Sequence, residues 1–139
     1  MKAKSNTKSA AKTPRNGTAV ENYPSGKKAA EVPYKNGIRE GAGKMFYESG
    51  KLYAEERYKS GKLDGLTVTY YESGAVQAEL QYKNDLLDGV CKEYYPSGKL
   101  ESETSYKAGK KDGPSVIYSE TGAVEKKQNF RDGLLVANA

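Results

Sequence analysis

The sequence predicts an all-β protein: an elongated, single-layer antiparallel meander of five 24-residue β-hairpin repeats behind a disordered basic N-terminal tail. Three observations carry that prediction: glycines that recur every 24 residues, period-2 alternation between them, and a low apolar content. Glycines fall at 17, 41, 65, 89 and 113, again at 26, 50, 74, 98 and 122, and again at 37, 61, 109 and 133, with Asp85 in the missing place. Only Gly43 lies outside these columns, so the periodicity is that of a repeat array. The units are 17–40, 41–64, 65–88, 89–112 and 113–136, and positions are counted below from the first glycine of each unit as position 1.

The glycines divide each unit into two segments of strand length, too short for an independent helix. Even positions of both segments are apolar, as in Leu66, Val68 and Tyr70, then Val76, Ala78, Leu80 and Tyr82. Odd positions of the second segment, such as Gln77, Glu79 and Gln81, are polar. This alternation predicts strands with one face apolar. Glu48-Ser49-Gly50, Glu72-Ser73-Gly74 and Pro96-Ser97-Gly98 read as three-residue hairpin loops ending in a left-handed glycine. Such a loop sets position 6 opposite 12 and position 4 opposite 14, which keeps even with even. About ten strands at ~4.8 Å each predict an array roughly 50 Å long. Asn22, Lys28 and Pro33 in the first unit and Lys126 in the last read as polar caps on its ends.

Composition agrees with a thin sheet. The apolar fraction is 36%, the mean hydropathy is −0.86, Trp is absent and Tyr occurs twelve times. Tyrosine suits a half-buried surface because its ring packs while its hydroxyl stays wet. Aromatic columns stand at position 18 (Tyr34, Tyr58, Tyr82, Tyr106, Phe130), position 6 (Phe46, Tyr70, Tyr94, Tyr118) and position 7 (Tyr23, Tyr47, Tyr71, Tyr95).

The unit consensus Y-Y-E-S-G-K-L…E…Y-K-x-G-K-x-D-G, matched best by Tyr47–Asp64, Tyr71–Gly89 and Tyr95–Gly113, resembles the variant MORN repeat of the bacterial YwqK-family antitoxins. The resemblance covers residues 17–136. It implies an elongated β-hairpin array that binds another protein, in one branch to neutralise a toxin. Other MORN proteins are implicated in scaffolding and in contacts with anionic membrane lipid. The lysine-rich 16-residue leader departs from the family pattern, and the resemblance does not extend to it.

Charge is segregated. Residues 1–16 carry Lys2, Lys4, Lys8, Lys12 and Arg15 and no acid, while the other residues hold 18 basic and 18 acidic side chains. The tail is therefore the candidate anion-binding element, for anionic lipid or nucleic acid, and its composition predicts disorder. The chain has no His, which removes the usual general base and the commonest zinc ligand. Glu31, Glu55, Glu79 and Glu103 at position 15, and Glu40, Asp64, Asp88 and Asp112 at position 24, recur in successive units. A column that recurs with the repeat serves the repeat, and the position-24 acids read as turn formers with the following Gly. The basic column Lys35, Lys59, Lys83, Lys107 and Arg131 reads as a solvated turn face, and Cys91 as inert.

These readings converge on a non-catalytic protein-interaction module with no catalytic residue, metal, cofactor or small-molecule substrate. Its expected partner is a protein, with a toxin as the candidate that the resemblance supplies. The alternative is a peripheral scaffold tethered through the tail. The aromatic columns are read both as the core of a one-sided sheet and as a recognition groove, with Tyr58, Tyr70, Tyr82, Tyr94 and Tyr106 as the binding face. A single cysteine and no hydrophobic leader predict a cytoplasmic protein, as a monomer or weak homodimer.

Overall fold

The computed structural model describes residues 13–138 and places its 14 strands in one open antiparallel sheet. Five hairpins succeed one another: β1 (Gly17–Asn22) with β2 (Lys28–Lys35), β4 (Gly41–Phe46) with β5 (Leu52–Lys59), β7 (Gly65–Tyr70) with β8 (Val76–Lys83), β10 (Gly89–Tyr94) with β11 (Leu100–Lys107), and β12 (Lys110–Tyr118) with β13 (Val124–Arg131). Between the first four lie two-residue strands β3 (Ile38–Arg39), β6 (Lys62–Leu63) and β9 (Leu86–Leu87). A last strand, β14 (Leu134–Asn138), pairs with β13. The longer strands follow chain order across the sheet, so the fold is the predicted meander with one strand more than ten.

Each hairpin closes through the three-residue loop expected. In the second unit Gly50 N–H donates to the Tyr47 carbonyl (2.9 Å) and Tyr47 N–H to that of Lys51 (2.8 Å), with Gly50 at φ +95°. Position 6 then faces position 12, as in Tyr70 opposite Val76 and Tyr94 opposite Leu100. The next pairs depart from expectation. Position 5 faces 14 and position 4 faces 15, as in Thr69 opposite Ala78 and Val68 opposite Glu79. One extra residue at position 13 forms a β-bulge in every hairpin, and a one-residue slip exchanges the faces.

The expectation of even positions sharing one face is corrected by that bulge. Paired residues share a face and neighbours along a strand alternate. Odd positions of the first strand therefore lie with positions 14, 16 and 18 of the second. The deeply buried residues belong to this face: Thr67, Cys91 and Ser115 at position 3, and Ala30, Ala54 and Ala78 at position 14. Among the described residues no second sheet or helix covers them, so the cover comes from tyrosines of the same face.

The second connection of each unit is a two-residue hairpin turn, followed in the first three units by a break in the outgoing strand. Asn36 (φ +52°) and Gly37 (φ +80°) both take left-handed backbone, the type I′ geometry that matches strand twist. Tyr34 then pairs with Arg39, yet Glu31 pairs with Lys44. The outgoing strand thus takes five residues to cover what the incoming one covers in three. The excess falls where Glu40 divides β3 from β4 and Gly41 (φ +103°) opens β4.

Two end-region expectations change. The Arg15 carbonyl accepts from Gly37 N–H (2.7 Å), and Asn16 Oδ1 accepts from Asn36 N–H (3.0 Å), so the array already includes these residues. Lys2, Lys4, Lys8 and Lys12 lie outside the described residues. At the other end β14 continues the sheet past the fifth hairpin, so Lys126 does not sit on its outer strand. That strand exposes Leu134, Leu135 and Val136.

Candidate functional site

The first four hairpins share only two paired positions at each junction, such as Ala54 with Thr69 and Glu55 with Val68, while the fourth and fifth share five. Three further sets of hydrogen bonds join the units. The position-7 tyrosine hydroxyl donates to the position-6 carbonyl of the next unit: Tyr23 to Phe46, Tyr47 to Tyr70, Tyr71 to Tyr94 and Tyr95 to Tyr118, each at 2.6 Å. The second turn residue donates to the preceding unit, as Gly61 N–H does to the Arg39 carbonyl (2.9 Å) and Gly109 N–H to that of Leu87 (2.8 Å). Two of the position-24 carboxylates reach forward as well: Glu40 accepts from Ser60 N–H (2.9 Å) and Asp88 from Ala108 N–H (3.2 Å). Their partner is the left-handed residue of the next unit's turn, and not the glycine that follows them, which corrects the sequence reading.

The five tyrosines expected to form one binding face divide between two. Tyr58, Tyr82 and Tyr106 sit opposite the position-1 glycines Gly41, Gly65 and Gly89, on the small-residue face. Tyr70 and Tyr94 sit on the other, opposite Val76 and Leu100. The position-13 bulge is the physical reason. Tyr58 is also sealed: it is 7% exposed, its hydroxyl donates to Glu56, and the Arg39 guanidinium lies 4.6 Å from its ring centroid. Burial and that hydrogen bond push its hydroxyl well above the usual range.

On the second face the position-15 glutamates are bound into the array. Glu79 accepts from the Tyr94 hydroxyl (2.6 Å), Glu103 from that of Tyr118 (3.2 Å), and Glu103 lies 3.8 Å from Lys92. The hydrogen bond to Glu79, with burial behind it, pushes Tyr94 up to about 12. Lys35, Lys59, Lys83, Lys107 and Arg131 are all exposed along the two-residue turns. Cys91 is buried and accepts weakly from Gln81 N–H (3.5 Å), and its thiol is pushed up chiefly by burial.

The small-residue face holds a feature that the periodicity concealed. Tyr71, Gln77, Glu93 and Glu101 line a cavity with Thr69, Ala78 and Tyr94, whose carbonyl accepts from Tyr71. Burial, then Glu101 and Glu93, raise Tyr71; burial, then Glu101, Glu125 and Glu120, raise Tyr95. Glutamate recurs only in part in these columns, as Glu21 and Glu93 at position 5 and as Glu101 and Glu125 at position 13. Units two and three carry Met45 and Tyr53, then Thr69 and Gln77, where unit four has Glu93 and Glu101.

The molecule is thus an open array of β-hairpins joined unit to unit by tyrosine and turn hydrogen bonds, with two faces of different chemistry. The model of the MORN repeat variant matches residues 15–36, 39–60, 63–84 and 87–108, more than half of the chain. The chain belongs to the MORN repeat variant family. The first matched unit begins at Arg15, where the turn hydrogen bonds begin, and the fifth hairpin repeats the same register beyond the matched residues. Comparison with curated proteins finds no match. Repeats of this family make a repeat-based interaction or membrane-binding module.

Proposed function

We propose that the array is a non-catalytic protein-interaction module, and that the partner it holds is a toxin that it neutralises. The carrying observation is the small-residue face: tyrosines from successive units lie side by side with no layer over them among the described residues. Partly covered aromatic surface of this kind marks interaction sites. The resemblance of the repeat to the YwqK-family antitoxins supplies the toxin as the partner class.

The test is affinity capture from the native host, comparing the full chain with one beginning at Thr13, which keeps the Arg15 and Asn16 contacts. Proteins retained by both, followed by co-expression of each with the array, should include one whose toxicity the array suppresses. Capture without any protection would remove the toxin reading and leave the interaction module.

A second reading has its own observation, the +5 charge confined to residues 1–16. There the array is a peripheral scaffold that Lys2, Lys4, Lys8 and Lys12 tether to anionic lipid or nucleic acid. Binding to anionic vesicles or DNA that survives removal of residues 1–12 would overturn it.

A further inference from the structure

We infer that the small-residue face of units three to five receives a lysine- or arginine-rich extended segment of a partner protein, held between Tyr71, Tyr95, Glu93, Glu101 and Glu125. The inference rests on the protein-binding reading and names the chemistry of the partner.

Charge complementarity is the ground. Glu93 and Glu101 come from one hairpin, since Glu93 pairs with Ser102, the neighbour of Glu101. Neither carboxylate has a hydrogen bond or ion pair among the described residues, unlike Glu79 and Glu103 on the opposite face. The repeat does not demand them, because the same positions carry Met45 and Tyr53 or Thr69 and Gln77 elsewhere. Lys126, at position 14 of the fifth unit opposite Ile117, stands on the same face but forms no ion pair with these acids among the described residues. A pair of acids that serves no unit contact is thus open to a cation from outside.

The tyrosines supply the second half of the recognition. Their hydroxyls are tied to the next unit's carbonyls, Tyr71 to Tyr94 and Tyr95 to Tyr118. That fixes the rings before any partner arrives. A cation above such a ring gains about 0.5–1 kcal/mol at an exposed site and more once desolvated. Glu101 and Glu125 occupy the same position of consecutive units, two strands apart and so ~10 Å. A chain in the polyproline II conformation rises ~3.1 Å per residue with three residues per turn, so a basic side chain at every third residue returns to the same side ~9 Å further on and meets successive carboxylates.

The experiment uses the full chain and a fluorescein-labelled twelve-residue peptide of repeated Lys-Thr-Thr, read by anisotropy, beside a Gln-Thr-Thr peptide. The Lys peptide should bind, weaken with added salt, and lose at least tenfold in affinity to Glu93→Gln/Glu101→Gln. Glu48→Gln/Glu72→Gln removes the same charge at exposed hairpin loops and should change affinity less than twofold. No binding of the Lys peptide, equal binding of the Gln peptide, or an equal response of the two double variants overturns the inference. A captured protein partner indifferent to Glu93→Gln/Glu101→Gln overturns it too, while leaving the protein-binding reading intact. If capture yields no partner, that reading alone fails, because the peptide measurement does not depend on it.

Discussion

The hydroxyl of Tyr71 donates to the backbone carbonyl of Tyr94, 23 residues further along the chain, at 2.6 Å. Tyr23, Tyr47 and Tyr95 repeat the contact, and in the fifth unit Ser119 takes the position, its hydroxyl 2.7 Å from that of Thr121. The tyrosine therefore serves as a staple between units as much as an apolar side chain. A protein built this way has stability divided between hairpins and the interfaces joining them.

Tyr71→Phe keeps the ring and deletes the staple. Loss of one such hydrogen bond costs about 0.5–1.5 kcal/mol, and the Tyr94 carbonyl is left to find water. A urea titration should show a lower midpoint for Tyr71→Phe. Tyr53→Phe, whose ring meets Tyr47 edge-on at 5.0 Å, should leave the midpoint near that of the native chain.

Gly43 is explained by its neighbour. Its backbone needs no positive φ, but an added Cβ would sit 2.9 Å from Cε2 of Tyr58. The ring lies over the glycine, which is why Tyr58 alone of its column is buried. Gly43→Val should cost about 1–3 kcal/mol by overpacking. With Tyr58→Leu already in place the same change should cost less, and the double-mutant cycle should return a coupling of about 1 kcal/mol. Additive losses in thermal denaturation would mean that the two residues do not share this space.

The sequence made the unit, its strands and its first turn legible because each depends on local chemistry. A left-handed loop position favours glycine wherever it occurs, and Gly50, Gly74 and Gly98 mark theirs. What stayed hidden depends on one extra residue. Nothing in Tyr53, Gln77 or Glu101 announces a bulge, yet the bulge decides which tyrosines share a face. It therefore split Tyr58, Tyr82 and Tyr106 from Tyr70 and Tyr94. The second turn was hidden for a related reason: Asn84-Asp85 and Ala108-Gly109 differ in side chain and agree only in backbone. The acidic patch was concealed because glutamate stands at positions 5 and 13 in only two units each.

Asp85 stands in a glycine column at φ +71°. Left-handed backbone costs a non-glycine residue about 1–2 kcal/mol. Against that, Asp85 Oδ1 accepts from Leu63 N–H at 2.7 Å, joining its turn to the preceding unit. Asp85→Gly removes both strain and hydrogen bond and should be nearly neutral. Asp85→Ala keeps the strain and loses the bond, and should destabilise by about 1–2 kcal/mol. Equal stabilities for the two variants in urea would show that Asp85 carries neither term.

Alkaline pH should loosen the array through its tyrosines. Tyr94 is pushed up to about 12, first by its hydrogen bond to Glu79 and then by burial. Tyr47, Tyr71 and Tyr95 are raised chiefly by burial, with nearby carboxylates adding to it. A raised folded-state value means that the protonated hydroxyl is favoured by folding. Its contribution is complete below pH ~10, where the unfolded tyrosine begins to ionise, and is lost as pH climbs toward 12. The melting temperature should therefore hold between pH 8 and 9.5 and fall steeply above 10. Tyrosinate absorbance at 295 nm should lag behind that of the urea-unfolded chain and then rise with unfolding. For Tyr71→Phe, which lacks one of the raised hydroxyls, the fall in melting temperature above pH 10 should be shallower than in the native chain. An identical slope would mean that this staple is not part of the alkaline transition.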